Sequence, residues 1–200
     1  MRIFSRAALI VTISTIYCLL ALPSFAQVRK EESLVYSKIV DRVADETPKK
    51  VTVVISGKTT ALSNTLLGTN AKAIASLVPA ATNSVISDFL SVGERQDEIL
   101  ISDSSSRSQK MLRVLSSTQY ENIFSKSLEP DERWRRFKQK FPKSLGLITF
   151  SRVGLDLANK QALVLMFTSS GGRFEAGTLV LLIQKHGHWE ISNQANVWIT

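Results

Sequence analysis

Four runs near the C-terminus decide the fold: LGLITFSRV (Leu145–Val153), QALVLMFT (Gln161–Thr168), TLVLLIQK (Thr178–Lys185) and WEISNQANVWI (Trp189–Ile199). Apolar and β-branched runs of this kind, separated by Gly, Asn and Ser, are typical of β-strands. The connecting segments are short, whereas parallel neighbours need a crossover of about a dozen residues or more. The sequence therefore predicts a four-stranded antiparallel meander.

An aromatic helix is predicted immediately before this meander. The segment Gln119–Phe141 has a mostly helical pattern, and Pro130 stands where the first turn of a helix tolerates proline. Trp134, Phe137 and Phe141 follow at helical spacing and form one stripe. We expect this stripe to pack on a face of the meander.

The first half of the chain has helical and short strand patterns. Helices are predicted over Val28–Glu46, Ala71–Val78 and Asn83–Val92, where apolar residues recur at helical spacing. Val51–Ser56 is a compact β-branched run and predicts a strand, and Met111–Leu115 predicts a further short strand or turn. The class is therefore α+β: N-terminal helices and a short strand, then the meander packed on the Trp-bearing helix.

The N-terminus has the layout of a secretory signal peptide. Arg2 and Arg6 precede the apolar stretch Ala7–Leu22, and Ser24 and Ala26 supply small residues for cleavage. An uncleaved anchor is the alternative, but the apolar run is shorter than the roughly 20 residues of a spanning helix. We expect residues 1–26 to be removed and residues 27–200 to form a single α+β domain, periplasmic or extracellular, with no membrane span after cleavage.

The one cysteine, Cys18, falls within this leader. A lipid-attachment site would need a small residue before it, and Tyr17 stands there instead. The mature chain is therefore expected to have no disulfide, no thiolate nucleophile and no cysteine-based metal site.

The charge balance bears on partners. Without Arg2 and Arg6 the chain has 23 basic against 17 acidic residues, a net charge of +6. A basic surface outside the cytoplasm suits an anionic envelope component or another exported protein, and equally suits simple solubility. Export argues against a nucleic-acid partner.

The C-terminal half resembles a family of uncharacterised exported proteins. The residues that carry the resemblance are Phe141-Pro142, Ser151-Arg152-Val153-Gly154, Gln161-Ala162-Leu163-Val164 and Trp189, with a helical Trp before them, as at Trp134. The likeness covers about residues 130–200 and implies a fold but no activity. Two departures are Leu155-Asp156, where Phe-Asn is usual, and a third loop without cysteines at Ser169–Arg173.

The loop between the second and third predicted strands is the first candidate binding site. Its candidate residues are Ser169, Ser170, Arg173, Phe174 and Glu175. Loops that a rigid sheet positions often bind ligands. The alternative is a flexible hairpin with Phe174 folded onto the sheet.

Arg152 is the remaining candidate binding residue. Its guanidinium could contact a ligand at the surface, or it could be buried and tie a carboxylate or loop carbonyls, and we favour the buried pairing. Gly154 closes the same predicted strand, where a left-handed residue is often needed.

The recognisable chemical motifs are incomplete, so no catalytic residue, metal or cofactor is predicted. His186 and His188 flank Gly187 in a predicted hairpin turn, and a zinc site needs three or four converging ligands. Gly57-Lys58 imitates a phosphate-binding loop, but Thr52 replaces the glycine that should begin it.

Three functions stay open. A non-enzymatic exported binding or interaction domain is the first hypothesis, and it requires an apolar groove or an exposed aromatic patch without a cluster of convergent polar groups. An envelope or extracellular hydrolase requires Arg152, Glu175 and a histidine in one pocket. A structural or accessory subunit requires a large self-complementary apolar surface.

Overall fold

The computed structural model describes residues 25–64, 70–101, 111–171 and 174–199. Residues 32–200 belong to one compact unit. The predicted signal peptide lies outside the described ranges except for Phe25 and Ala26, which are helical. Cleavage, export and the domain bounds 27–200 therefore stay predictions.

The described residues combine helices with one sheet, as the sequence patterns predict. The elements are α1 (Phe25–Glu46), β1 (Thr52–Ser56), a 3-10 turn (Leu62–Asn64), α2 (Ala71–Leu77), α3 (Asn83–Val92), β2 (Leu112–Leu115), α4 (Ser117–Ile123), α5 (Pro130–Lys140), β3 (Ser144–Phe150), β4 (Gly154–Asp156), β5 (Gln161–Gly171), β6 (Phe174–Lys185) and β7 (His188–Ile199). None of the described helices is both long enough and apolar enough to span a bilayer.

Seven strands form one mixed sheet. Their order is β2-β1-β3-β5-β6-β7, and β4 also pairs with β5. β1 is parallel to β2 and to β3, whereas β3, β5, β6 and β7 are antiparallel neighbours. The connections that join the parallel strands contain α2–α3 and α4–α5, which supply the long crossovers that parallel pairing requires. The sheet is therefore larger than the four strands expected, because β1 and β2 extend it beyond β3.

The strand predicted over Leu145–Val153 ends at Phe150 in the structure, and a three-residue break at 151–153 separates it from β4, which lies beyond the predicted range. β3 pairs with residues 166–169 of β5, and β4 pairs with residues 161–163 of the same strand. Ser151 bridges the break, because its hydroxyl accepts a hydrogen bond from the Leu165 amide at 3.0 Å and donates to the Arg152 carbonyl at 2.8 Å. Gly154 consequently begins a strand, where the sequence predicted a turn.

Buried residues form one cluster on one face of the sheet and two clusters on the other face. On the first, which we call the α1 face, the cluster includes Val35, Ile39, Phe150, Val164 and Val180. On the second, the cleft face, α2 and α3 pack on β5 and β6 through Ile74, Phe89, Leu163, Leu165 and Leu179. A third cluster joins α4 and α5 to β1, β2 and β3 through Val54, Leu115, Ile123, Phe137 and Leu147. The cleft face thus has two helical layers with a gap between them.

The Trp-bearing helix, α5, packs beside β1, β2 and β3, and it therefore meets the predicted meander mainly at its first strand. The Trp134 ring lies edge-on to the rings of Phe124 and Phe137, with both centroid distances 5.3 Å. This aromatic group joins the cluster of Val54 and Leu147. Because α5 directly precedes β3, it covers the β1–β3 side of the sheet, and α2 and α3 cover the central strands.

Asp156 ties the start of α3 to the turn between β4 and β5. Its carboxylate accepts hydrogen bonds from the Thr82 hydroxyl at 2.9 Å, the Asn159 amide at 3.0 Å and the Asn159 side chain at 2.8 Å. Thr82 is also the N-cap of α3 and accepts from the Val85 amide at 3.2 Å. Burial, the largest single influence, raises the pKa of Asp156, but the hydrogen bonds from Asn159 and Thr82 together bring the pKa below its ordinary value.

Replacing Asp156 with Asn is expected to reduce stability near neutral pH by on the order of 1 kcal/mol, because charge-assisted hydrogen bonds are lost. A carboxyl whose folded pKa is lowered stabilises the protein above its unfolded pKa, and this contribution disappears as the pH falls through the folded pKa. Urea unfolding at pH 7 and at about pH 3 should therefore show a smaller difference in the free energy of unfolding between wild type and D156N at the lower pH. The same difference at both pH values would contradict the lowered pKa of Asp156.

Candidate functional site: a cleft on the sheet

The gap between the two helical layers forms a cleft of about 170 Å³ on the cleft face. Its lining is Thr60, Tyr120, Leu147, Thr149, Phe167, Thr168, Ser169, Glu175, Ala176 and Trp198. These residues come from the loop after β1, from α4, and from β3, β5, β6 and β7. The cleft therefore exists only when strands distant in sequence are paired.

Strand register arranges the floor of the cleft in two adjacent rows. One row runs Thr149, Phe167, Gly177 and Trp198 across β3, β5, β6 and β7. The next runs Leu147, Ser169 and Glu175 across β3, β5 and β6. Side chains two positions apart along a strand share a face, so both rows point toward the same side of the sheet.

A glycine makes room for the aromatic part of the floor. A Cβ atom at Gly177 would lie 2.5 Å from carbons of the Trp198 ring, so the indole rests directly on the Gly177 backbone. Trp198 also packs against Phe167, with ring centroids 5.5 Å apart at 45°. The half-buried Phe167 and Trp198 rings therefore provide an apolar floor for a ligand.

A carboxylate stands beside these rings. Glu175 is exposed, and its Oε1 accepts a hydrogen bond from the Ser169 hydroxyl at 3.3 Å. Within the described ranges, no Lys or Arg forms an ion pair with it. Among the described residues that line the cleft, Glu175 is the only Asp, Glu, Lys or Arg.

Tyr120 forms one wall of the cleft from α4. That helix begins with a capping box in which Ser116 and Gln119 exchange side-chain and backbone hydrogen bonds, which fixes the first turn. Burial raises the pKa of Tyr120, and the nearby positive charge of Arg133 partly offsets that effect. The phenol is therefore neutral at physiological pH and can both donate and accept a hydrogen bond.

Arg152 belongs to a buried ionic clamp on the other side of the sheet break. Its guanidinium contacts Glu32 of α1 and Asp97 of the loop after α3, each at 2.8 Å. Its side chain is 8 % exposed and that of Glu32 is 4 % exposed. In addition, the Tyr36 hydroxyl donates to the Ser151 carbonyl at 2.9 Å. Arg152 is therefore buried and paired with carboxylates, which is the alternative that the sequence favours. The clamp connects three segments that are distant in sequence.

The structure separates the other predicted binding residues. Ser169 and Glu175 are side by side in the cleft. Ser170 is half-buried and does not line the cleft. Phe174, with 47 % of its surface exposed, precedes Glu175 on the strand and so points to the opposite face. Arg173 lies outside the described residues.

The three groups required for the hydrolase hypothesis lie apart. Glu175 lies near the start of β6 and His186 directly follows its last residue, which separates the two by about 36 Å along an extended strand. Arg152 is held in the clamp with Glu32 and Asp97. Among the described residues, no group of three or more His, Cys, Asp and Glu side chains is placed to hold a metal ion.

Sequence reasoning missed eight lining residues, which come from the loop after β1, from α4 and from β3, β5, β6 and β7. These residues are Thr60, Tyr120, Leu147, Thr149, Phe167, Thr168, Ala176 and Trp198. Strand alternation could place Phe167 and Ser169 on one face, but only the register reveals which residues of β3 and β7 lie beside them. Scans against models of protein families, curated proteins and solved structures find no match for this chain.

Proposed function

We propose that this chain is an exported, non-enzymatic binding domain and that the cleft holds its ligand. The observation that carries the proposal is the cleft between the two helical layers, where the Phe167 and Trp198 rings form an apolar floor. Hydroxyls and one carboxylate also line the cleft, which departs from the expectation of a site without convergent polar groups. A concave site with apolar walls and a few polar groups is the usual form of a small-molecule site.

The scaffold supports this role because the cleft floor is built on strands rather than on a loop. In the proposal the binding unit is the four-stranded meander with the Trp-bearing helix beside it, as the sequence suggests for the exported family that it resembles. Sites built on strands hold their side chains with more precision than sites on loops. The anionic partner expected from the net charge belongs, in this proposal, to the surface outside the cleft.

Filling the cleft with a larger side chain tests the proposal. Thr149 lies on the floor, and T149W is expected to occupy much of the cleft and weaken ligand binding by at least about tenfold, or 1.4 kcal/mol. Ligands would be found by screening small amphipathic compounds against the expressed protein by ligand-observed NMR. Binding in the cleft should move the indole N–H signal of Trp198, which W198F identifies among the three tryptophans.

The matched control is T178W. Thr178 is also half-buried on the sheet, but its register partners Met166 and Asn196 place it on the α1 face. T178W should bind the ligand as wild type does. Ligands that bind equally well to T149W, or a screen in which no compound moves the Trp198 signal, would overturn the proposal.

A further inference from the structure

Resting on the proposed function, we infer that the ligand carries a small cationic amine, with its ammonium group between the Glu175 carboxylate and the rings of Phe167 and Trp198. The inference depends on the charge of the cleft, the kind of surface beside that charge, and the distance between them.

Among the described residues of the cleft, the charge is negative and no cation offsets it. Some glutamates elsewhere are ion-paired, as Glu132 is with Arg135 and Arg136, and Glu190 with Lys185. Glu175 has only the 3.3 Å hydrogen bond from Ser169 in the described part of the chain. An anionic ligand would meet a like charge there without a cation among the described lining residues to offset it, whereas a cation would gain a charge-assisted contact.

The surface beside the carboxylate is aromatic. Ammonium groups are attracted to the electron-rich faces of aromatic rings, and Trp is the strongest partner. Trp198 and Phe167 form a joined pair over Gly177. Cages of this composition bind alkylated ammonium groups in other proteins.

The spacing allows both contacts at once. Glu175 and Gly177 are two positions apart on the same face of β6, which is about 7 Å. The Trp198 ring lies directly over Gly177. A cation between the carboxylate and the ring could therefore be within about 4 Å of the oxygen and about 6 Å of the ring centroid.

Three of the remaining lining residues carry neutral hydroxyls that can accept hydrogen bonds from N–H donors. Thr60, Thr149 and the protonated Tyr120 supply hydroxyl oxygens around the cleft. They would fix the orientation of a primary or secondary amine or of a hydroxyl on the ligand.

Choline and its uncharged isostere 3,3-dimethylbutan-1-ol provide the test, with ethanolamine as a primary-amine probe and glucose as a neutral polar probe. Each is titrated to about 10 mM into the full-length protein while the Trp198 indole signal is followed by NMR. We expect at least one ammonium probe to bind roughly tenfold more tightly than the neutral probes. E175Q should abolish this preference, and E190Q, which removes an exposed glutamate of β7, should preserve it.

Equal binding of the ammonium and neutral probes, binding that E175Q leaves unchanged, or failure of both ammonium probes to bind would overturn the amine assignment. In the first two cases, and where glucose alone moves the Trp198 signal, the cleft still binds a ligand and the proposed function stands. The proposed function fails on a separate result. That result is a broader screen in which T149W weakens the binding of no compound.

Discussion

Replacing Arg152 with Met is expected to lower the free energy of unfolding by about 3–5 kcal/mol. The substitution removes the guanidinium that contacts both Glu32 and Asp97, and the Glu32 carboxylate stays buried. Breaking one side of a buried ion pair is much more destabilising than replacing the whole pair by apolar groups. Urea unfolding followed by circular dichroism measures the change.

Two further variants separate the clamp from a general loss of charge. R135M removes an exposed arginine that pairs with Glu132 and should change stability by less than about 1 kcal/mol. E32M/R152M should recover part of the loss, because it also removes the buried carboxylate. If R152M were as stable as wild type but bound the cleft ligand weakly, Arg152 would be a ligand contact and the clamp assignment would be wrong.

The sequence predicted the strands near the C-terminus because their apolar runs are local signals. The parallel pairing of β1 with β2 and β3 was not predictable in the same way, because it joins segments separated by whole helices. The face on which Arg152 lies was not predictable either. Alternation along a continuous strand assigns a face to each residue, but the Ser151 hydroxyl interrupts the strand pairing just before Arg152.

The candidate site was predictable only where its residues are neighbours in sequence. Ser169 and Glu175 were found because they flank one hairpin loop, and they are also a cross-strand pair. Trp198 was visible as an aromatic residue but could not be placed beside Phe167 without the register of three strands. The position of Tyr120 depends further on how α4 packs beside the sheet, which no local pattern specifies.

The Ser151-Arg152-Val153-Gly154 motif has a structural role at each position in this chain. Ser151 bridges the strand break, Arg152 forms the clamp, and Val153 is buried in the cluster on the α1 face. Gly154, the last residue of the motif, also has a structural role, but that role is not the left-handed conformation expected from the sequence. Its φ is not positive, so left-handed geometry does not explain the glycine.

Gly154 permits the close approach of α3 to β4. A Cβ atom at this position would lie 2.4 Å from the Cα of Phe89 and 2.5 Å from its backbone nitrogen. Backbone atoms cannot move aside by changing a rotamer, so G154A must displace α3 or β4. We expect a loss of about 3 kcal/mol, at the upper end of typical overpacking costs, with a fall in Tm of roughly 6–12 °C.

Thermal and urea unfolding measure that loss, and G187A is its control. Gly187 has a φ of 82° but no heavy atom within 4 Å of its ideal Cβ position, so alanine there should cost only about 1 kcal/mol of backbone strain. Amide hydrogen exchange should become faster across α3 in G154A and stay unchanged there in G187A, since only the first substitution pushes on that helix. Equal effects of the two alanines would mean that backbone preference, and not helix contact, accounts for Gly154, and the motif would then have no packing role at its last position.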